Sequence, residues 1–120
     1  MAIDGCAVVA YADTNPASRS NANRLVGEAT SYSDFREMLA NEQLDVVVIA
    51  TPNHMHRSIF EDVIERDAHV LIEKPLGINV AECQSMIEVE RQHRKHGRVV
   101  WVGLEYRFMA PTARLIDEVD

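Results

Sequence analysis

Val46-Val47-Val48-Ile49-Ala50, closed by Thr51-Pro52-Asn53, is the stretch on which the fold turns. A strand that shows one face to water alternates polar and apolar residues. This run does not alternate, so it reads as a strand buried on both faces. The turn after it is polar and bent, because Pro52 withholds an N–H and Asn53 offers an amide donor and acceptor. A buried strand with a polar exit belongs inside a parallel sheet covered by helices on both sides.

The flanking sequence repeats this unit. Downstream, residues 56–66 form a helical stripe with Ile59, Phe60, Val63 and Ile64 on its core side. The strand His69-Val70-Leu71-Ile72 then runs into Glu73-Lys74-Pro75. Asn79 and Glu82 have capping-box spacing and open the longest helix, expected to end near His96 with Gly97 as its stop. A last strand covers residues 99–104, followed by Tyr106-Arg107-Phe108 and a helix from Pro111. Upstream, a strand over residues 6–12 ends at Asp13. Asn15 caps the next helix, with Pro16 at its first position and Gly27 as its stop after Val26. An extended piece spans residues 29–32, and Ser33 caps a helix carrying Phe35, Met38 and Leu39 on one face. Strands joined by helical crossovers give a doubly wound, mostly parallel α/β sheet.

Composition narrows the function. A chain of 120 residues holds one domain, and 47% hydrophobic residues are enough for a core. The net charge of −7 argues against nucleic acid as a partner, since phosphate binding needs a basic footprint. No apolar run approaches the ~20 residues of a membrane span, and the N-terminus lacks the marks of a signal peptide. Cys6 and Cys83 match no metal or redox spacing and read as buried thiols in a reducing cytoplasm. A soluble, cytoplasmic protein is expected.

In such a sheet, ligands bind outside the carboxyl ends of the strands. Those ends are Asp13, Thr51-Pro52-Asn53, Glu73-Lys74-Pro75 and Glu105-Tyr106-Arg107, and the topology puts them on one rim. Asp13 reads equally as an acidic turn residue or as an acceptor for the adenosine ribose hydroxyls of a dinucleotide. In the second role its charge repels a 2′-phosphate and favours NAD over NADP, a preference that the nearby Arg19 would soften. Thr51-Pro52-Asn53 is a ligand contact or a plain strand-to-helix turn. His54 and His56 lack a third ligand at any usual spacing, so no metal site is expected. Lys74 leaves a buried strand, where it can bring an ammonium to a substrate hydroxyl with Glu73 beside it; a surface ion pair before a turn is the other reading. Pro75 fixes the direction of the exit and admits a cis bond. The basic run over residues 91–98 reads as a solvated helix end whose cations complement the helix dipole.

Three blocks, in order, resemble the glucose–fructose oxidoreductase and inositol dehydrogenase family, written Gfo/Idh/MocA. They are Ala50-Thr51-Pro52-Asn53-His54-Met55-His56, Val70-Leu71-Ile72-Glu73-Lys74-Pro75-Leu76-Gly77 and Val102-Gly103-Leu104-Glu105-Tyr106-Arg107-Phe108. The resemblance covers nearly the whole chain. It implies a Rossmann-type nucleotide domain of an NAD(P)-dependent oxidoreductase acting on a sugar, polyol or related hydroxyl compound, with the whole protein a homo-oligomer. It also implies that Lys74 stands at the reacting hydroxyl and nicotinamide ribose. Asn53, His56 and Glu73, with Thr51, Pro52 and Pro75 around them, would line the cofactor, and Arg107 would lie at the nicotinamide or substrate end.

The sequence departs from the family pattern at both ends. No strand with G-x-G-x-x-G precedes Cys6, and residues from about 109 onward lead toward a substrate domain not contained in the chain. Residues 1–120 are therefore expected to be a partial dinucleotide-binding domain. In the strand order 3-2-1-4-5-6 the lacking first strand lies between the strand ending at Asp13 and the one ending at Ala50. Its absence leaves two unpaired strand edges and predicts low stability and weak NAD binding for the 120 residues alone. The alternative is a non-catalytic truncated binding or regulatory module that needs a partner to complete the fold.

Overall fold

The computed structural model describes residues 4–119, apart from the side chains of Arg107 and Val119. The chain divides into two compact units, one ending at Leu44 and the other beginning at Asp45. Each has its own parallel sheet.

In the first unit, β1 (Ala10–Ala12) pairs with β2 (Thr30–Tyr32) through the crossover helix α1 (Pro16–Val26). The Asn15 side chain accepts from the Ala17 amide at 2.9 Å, with Pro16 at the first helical position as expected. Gly27 ends α1 at φ +65°, a conformation that costs glycine little. The helix α2 (Phe35–Asn41) is capped by Asp34, one residue after the expected Ser33; its carboxylate accepts from the Arg36 amide at 2.8 Å. The core of this unit is thin: Ala29, Met38 and Leu39 are buried, while α1 buries no residue. The first strand is shorter than residues 6–12 because β2 offers only three residues of ladder. Residues 6–9 are exposed, and exposed Cys6 is not the buried thiol expected from composition.

In the second unit, β3 (Val46–Ile49), β4 (His69–Ile72) and β5 (Val100–Val102) pair in that order, all parallel. A 3-10 turn, Asn53–Met55, leads into α3 (His56–Val63), which connects β3 to β4. The helix α4 (Val80–Gln92) connects β4 to β5, and α5 (Ala110–Val119) follows a second 3-10 turn at Glu105–Phe108. Asn79 accepts from the Glu82 amide at 2.9 Å, and Glu82 reaches back to the Ile78 amide at 3.0 Å, so the expected cap forms with its return bond one residue early. The helix α4 stops at Gln92, short of the expected His96, where Arg98 satisfies the carbonyl of His93.

Buried Val47, Ile49, Val70 and Ile72 line one face of this sheet; Ile59, Phe60, Val63, Ile64 and Met86 supply the buried apolar residues of and beside α3 and α4. The opposite face departs from the sequence reading. Val46, Val48 and Trp101 are about half exposed, at 52%, 56% and 45%, and the register sets Val48, Leu71 and Trp101 in one row across the sheet. The cause is topological. The crossovers from β3 to β4 and from β4 to β5 step in the same direction, and crossovers of one hand then place their helices on one face. The pairings are β1-β2 in one sheet and β3-β4-β5 in the other, and among the described residues the other edges of β1 and β3 have no ladder partner.

Candidate functional site

In the second unit the register brings three strand exits together. Ile49 pairs with Ile72 and Ile72 with Val102, so Thr51-Pro52-Asn53, Glu73-Lys74-Pro75 and Gly103 leave one rim. The ladder continues a step past the strands, with the Glu73 amide donating to the Ile49 carbonyl at 2.9 Å and the Gly103 amide to the Ile72 carbonyl at 2.8 Å. Pro52, Asn53, Glu73, Lys74 and Pro75 are exposed there. The Lys74–Pro75 bond is cis, as Pro75 allowed.

Glu73 turns its carboxylate back toward the rim: its Oε2 accepts from the Lys74 amide at 3.3 Å and lies against Gly103. A side chain at position 103 would occupy that space. Gly103 was missed in reading the sequence, although a glycine inside an apolar strand pattern signals a close approach of this kind.

Behind the exposed rim lies His56, which is 0% exposed. Its Nε2 is 2.9 Å from the Thr51 carbonyl oxygen and its Nδ1 is 2.9 Å from the Pro75 carbonyl oxygen. The ring presents no surface to a ligand in this arrangement, so its place is behind the lining and not within it. The Thr51 hydroxyl is buried and makes no hydrogen bond among the described residues. Arg107 has its backbone in the 3-10 turn after β5, while its side chain lies outside the described residues.

Asp13 belongs to the first unit, at the exit of β1. Its Oδ1 accepts from the Asn15 amide at 2.7 Å, and its backbone carbonyl receives Arg19 Nη1 at 2.6 Å. The described residues contain no cluster of three or more His, Cys, Asp or Glu that could hold a metal ion. They also contain no helix long and apolar enough to cross a membrane. The basic run is more committed than a solvated helix end. Arg94 pairs with Glu90, Lys95 with Asp67, and Arg98 with backbone carbonyls.

Residues 2–104 match the sequence profile of the oxidoreductase family GFO_IDH_MocA, described by its NAD-binding Rossmann fold. The chain belongs to the Gfo/Idh/MocA family. It is 29% identical over 120 residues to the inositol 2-dehydrogenase of Salmonella typhimurium, covering 98% of this chain and 35% of that protein. Among solved structures it superposes on the WlbA dehydrogenase from Bordetella pertussis in complex with NADH and UDP-GlcNAcA, with a TM-score of 0.81 and 28% identity over 93% of this chain and 33% of the other. The scyllo-inositol dehydrogenase from Lactobacillus casei, with bound NAD(H) and scyllo-inositol, gives 0.78 at 25% identity, over 91% of this chain and 32% of that one. The chain thus spans about a third of the length of these relatives. None of the five glycines, at positions 5, 27, 77, 97 and 103, forms a G-x-G-x-x-G loop for the pyrophosphate.

Proposed function

We propose that this chain is the nucleotide-binding part of a dehydrogenase that uses NAD to exchange hydride with a sugar, polyol or related hydroxyl compound. The observation that carries the reading is Lys74, exposed at the exit of β4 with the Glu73 carboxylate beside it on a rim shared with Asn53. Family membership and the dinucleotide-bound relatives support it.

The nicotinamide supplies hydride transfer when it is bound. The Lys74 ammonium donates a hydrogen bond to the reacting oxygen and stabilises the negative charge that develops on it. Glu73 and Asn53 hold ribose hydroxyls and the carboxamide, Thr51, Pro52 and Pro75 shape the wall, and Arg107 faces the nicotinamide or substrate end. Asp13 accepts from the adenosine ribose hydroxyls, and its charge disfavours a 2′-phosphate. The cation that would welcome such a phosphate, Arg19, is directed to the Asp13 carbonyl, which supports NAD over NADP.

The test is Lys74→Ala in the full-length product of the gene. Loss of a positioned acid–base or charge-stabilising group costs about 10²–10⁴-fold in turnover, with NAD affinity retained. Turnover that survives the change refutes the role given to Lys74.

A further inference from the structure

We infer that His56 is a positioning residue that ties the exits of β3 and β4 together and so sets where Lys74 stands; this rests on the reading of Lys74 above. The ring spans from the Thr51 carbonyl, two residues beyond the end of β3, to the Pro75 carbonyl, one residue beyond Lys74. Both distances are 2.9 Å, and the ring is 0% exposed while Pro52, Asn53, Lys74 and Pro75 around it are exposed.

The choice of residue follows from what the two loops need. Thr51 and Pro75 lie past their strands, where the ladder supplies no further donors, and both contacts with the ring are part-buried, where a carbonyl needs a donor. Imidazole carries nitrogens on two sides of a rigid ring, so one side chain lies between carbonyls on two different loops, donating to one of them as the neutral ring and to both only when both nitrogens carry a proton. An aliphatic residue would fill the space and satisfy neither. His56 is also the first residue of α3, which the buried Ile59, Phe60 and Val63 hold in the core. The rim is thereby referenced to a rigid helix through a single ring. A shift of the Pro75 carbonyl carries Lys74 with it, and a misplacement of about 1 Å in a reacting group costs up to about 10²-fold in rate.

The experiment uses the full-length product of the gene with His56→Leu, His56→Gln, Lys74→Ala and the double variants. His56→Leu is expected to lower kcat by about 10- to 100-fold with KM for NAD little changed, and His56→Gln, whose amide carries two donors, to recover part of the loss. In the nucleotide-free protein, hydrogen exchange is expected to quicken at residues 51–56 and 74–76 in His56→Leu and less so in His56→Gln. The deciding measurement is the cycle with Lys74. An effect exerted through Lys74 disappears when Lys74 is already alanine, whereas a general loss of folded protein persists in both backgrounds. A His56 effect of equal size in the Lys74→Ala background overturns the inference while leaving the role of Lys74 intact. If Lys74→Ala alone leaves kcat unchanged, the reading of Lys74 falls first and this inference with it. Should His56→Leu fail to fold, the same cycle run with His56→Gln decides the question.

Discussion

The carboxylate of Glu73 rests against the backbone of Gly103: a Cβ at position 103 would stand 3.2 Å from Glu73 Oε2 and 3.5 Å from the Ile72 carbonyl oxygen. The first distance is tighter than an ordinary contact, and the second is ordinary. The neighbour that must give way is therefore the end of a flexible side chain and not the sheet. Gly103→Ala is expected to cost under about 1 kcal/mol of stability while displacing Glu73. Thermal melts and NAD titration of the full-length protein check this. Wild-type NAD affinity and turnover in the variant would show that the position of Glu73 does not matter to the site.

Arg98 joins the ends of two helices. Its Nη1 donates to the carbonyls of Ile64 at 2.8 Å and Arg66 at 3.2 Å, and its Nη2 donates to that of His93. These are carbonyls at the C-terminal ends of α3 and α4, which lack intrahelical partners and carry the negative end of the helix dipole. Truncation to alanine leaves the part-buried Ile64 carbonyl unpaired, at about 1–3 kcal/mol, while the exposed Arg66 and His93 carbonyls turn to water. Arg98→Lys should recover only part, because an ammonium cannot reproduce the planar fork. Denaturant unfolding of the three proteins gives the order wild type, lysine, alanine; equal stabilities would contradict the strut.

Legibility in the sequence followed the range of the forces involved. The Asn15–Pro16 start of α1, the Gly27 stop and the Asn79–Glu82 cap are local contacts, and each appears in the structure at or within one residue of its expected place. The strands β3 and β4 were legible because β-branched runs bounded by polar turns leave little choice. Other features depend on partners distant in the chain. The length of β1 is limited by β2, and the half-exposed Val46 and Val48 follow from the direction of two crossovers. At the site, the rim of Asn53, Glu73 and Lys74 could be read from strand ends. The placement of His56 behind it could not, because its Pro75 partner lies nineteen residues away in a different loop.

The Glu90 carboxyl is held below the ordinary glutamate range chiefly by its hydrogen bond to Arg94; partial burial opposes this, and the Arg94, Arg98 and Arg91 charges add to it. A folded-state value below the unfolded one means the pair stabilises at neutral pH. That contribution is lost as pH falls from the ordinary carboxylate range through the depressed value. The pair is partly exposed, so its effect is small and weakens with salt. Glu90→Gln is expected to melt below the wild type at pH 7, with the two curves converging in acid. A gap that stays constant from neutral to acid pH would remove the ion pair as its cause.

The 120 residues alone are expected to be weakly stable and to bind NAD poorly. Among the described residues, β1 and β3 each have an edge without a ladder partner, which is a template for association with other chains. The row through Val48 and Trp101 leaves apolar side chains about half exposed, and among its described residues the first unit buries only Ala29, Met38 and Leu39 as apolar core. A strand added at either free edge would supply its ladder partner and cover apolar surface. The 120-residue chain should therefore show a broad, concentration-dependent melt and exposed-surface dye binding, both suppressed in the full-length product of the gene. Isothermal titration gives the sharper comparison. Micromolar NAD affinity for the 120 residues alone would show that the rim of Asn53, Glu73 and Lys74 binds the cofactor without a glycine-rich pyrophosphate loop.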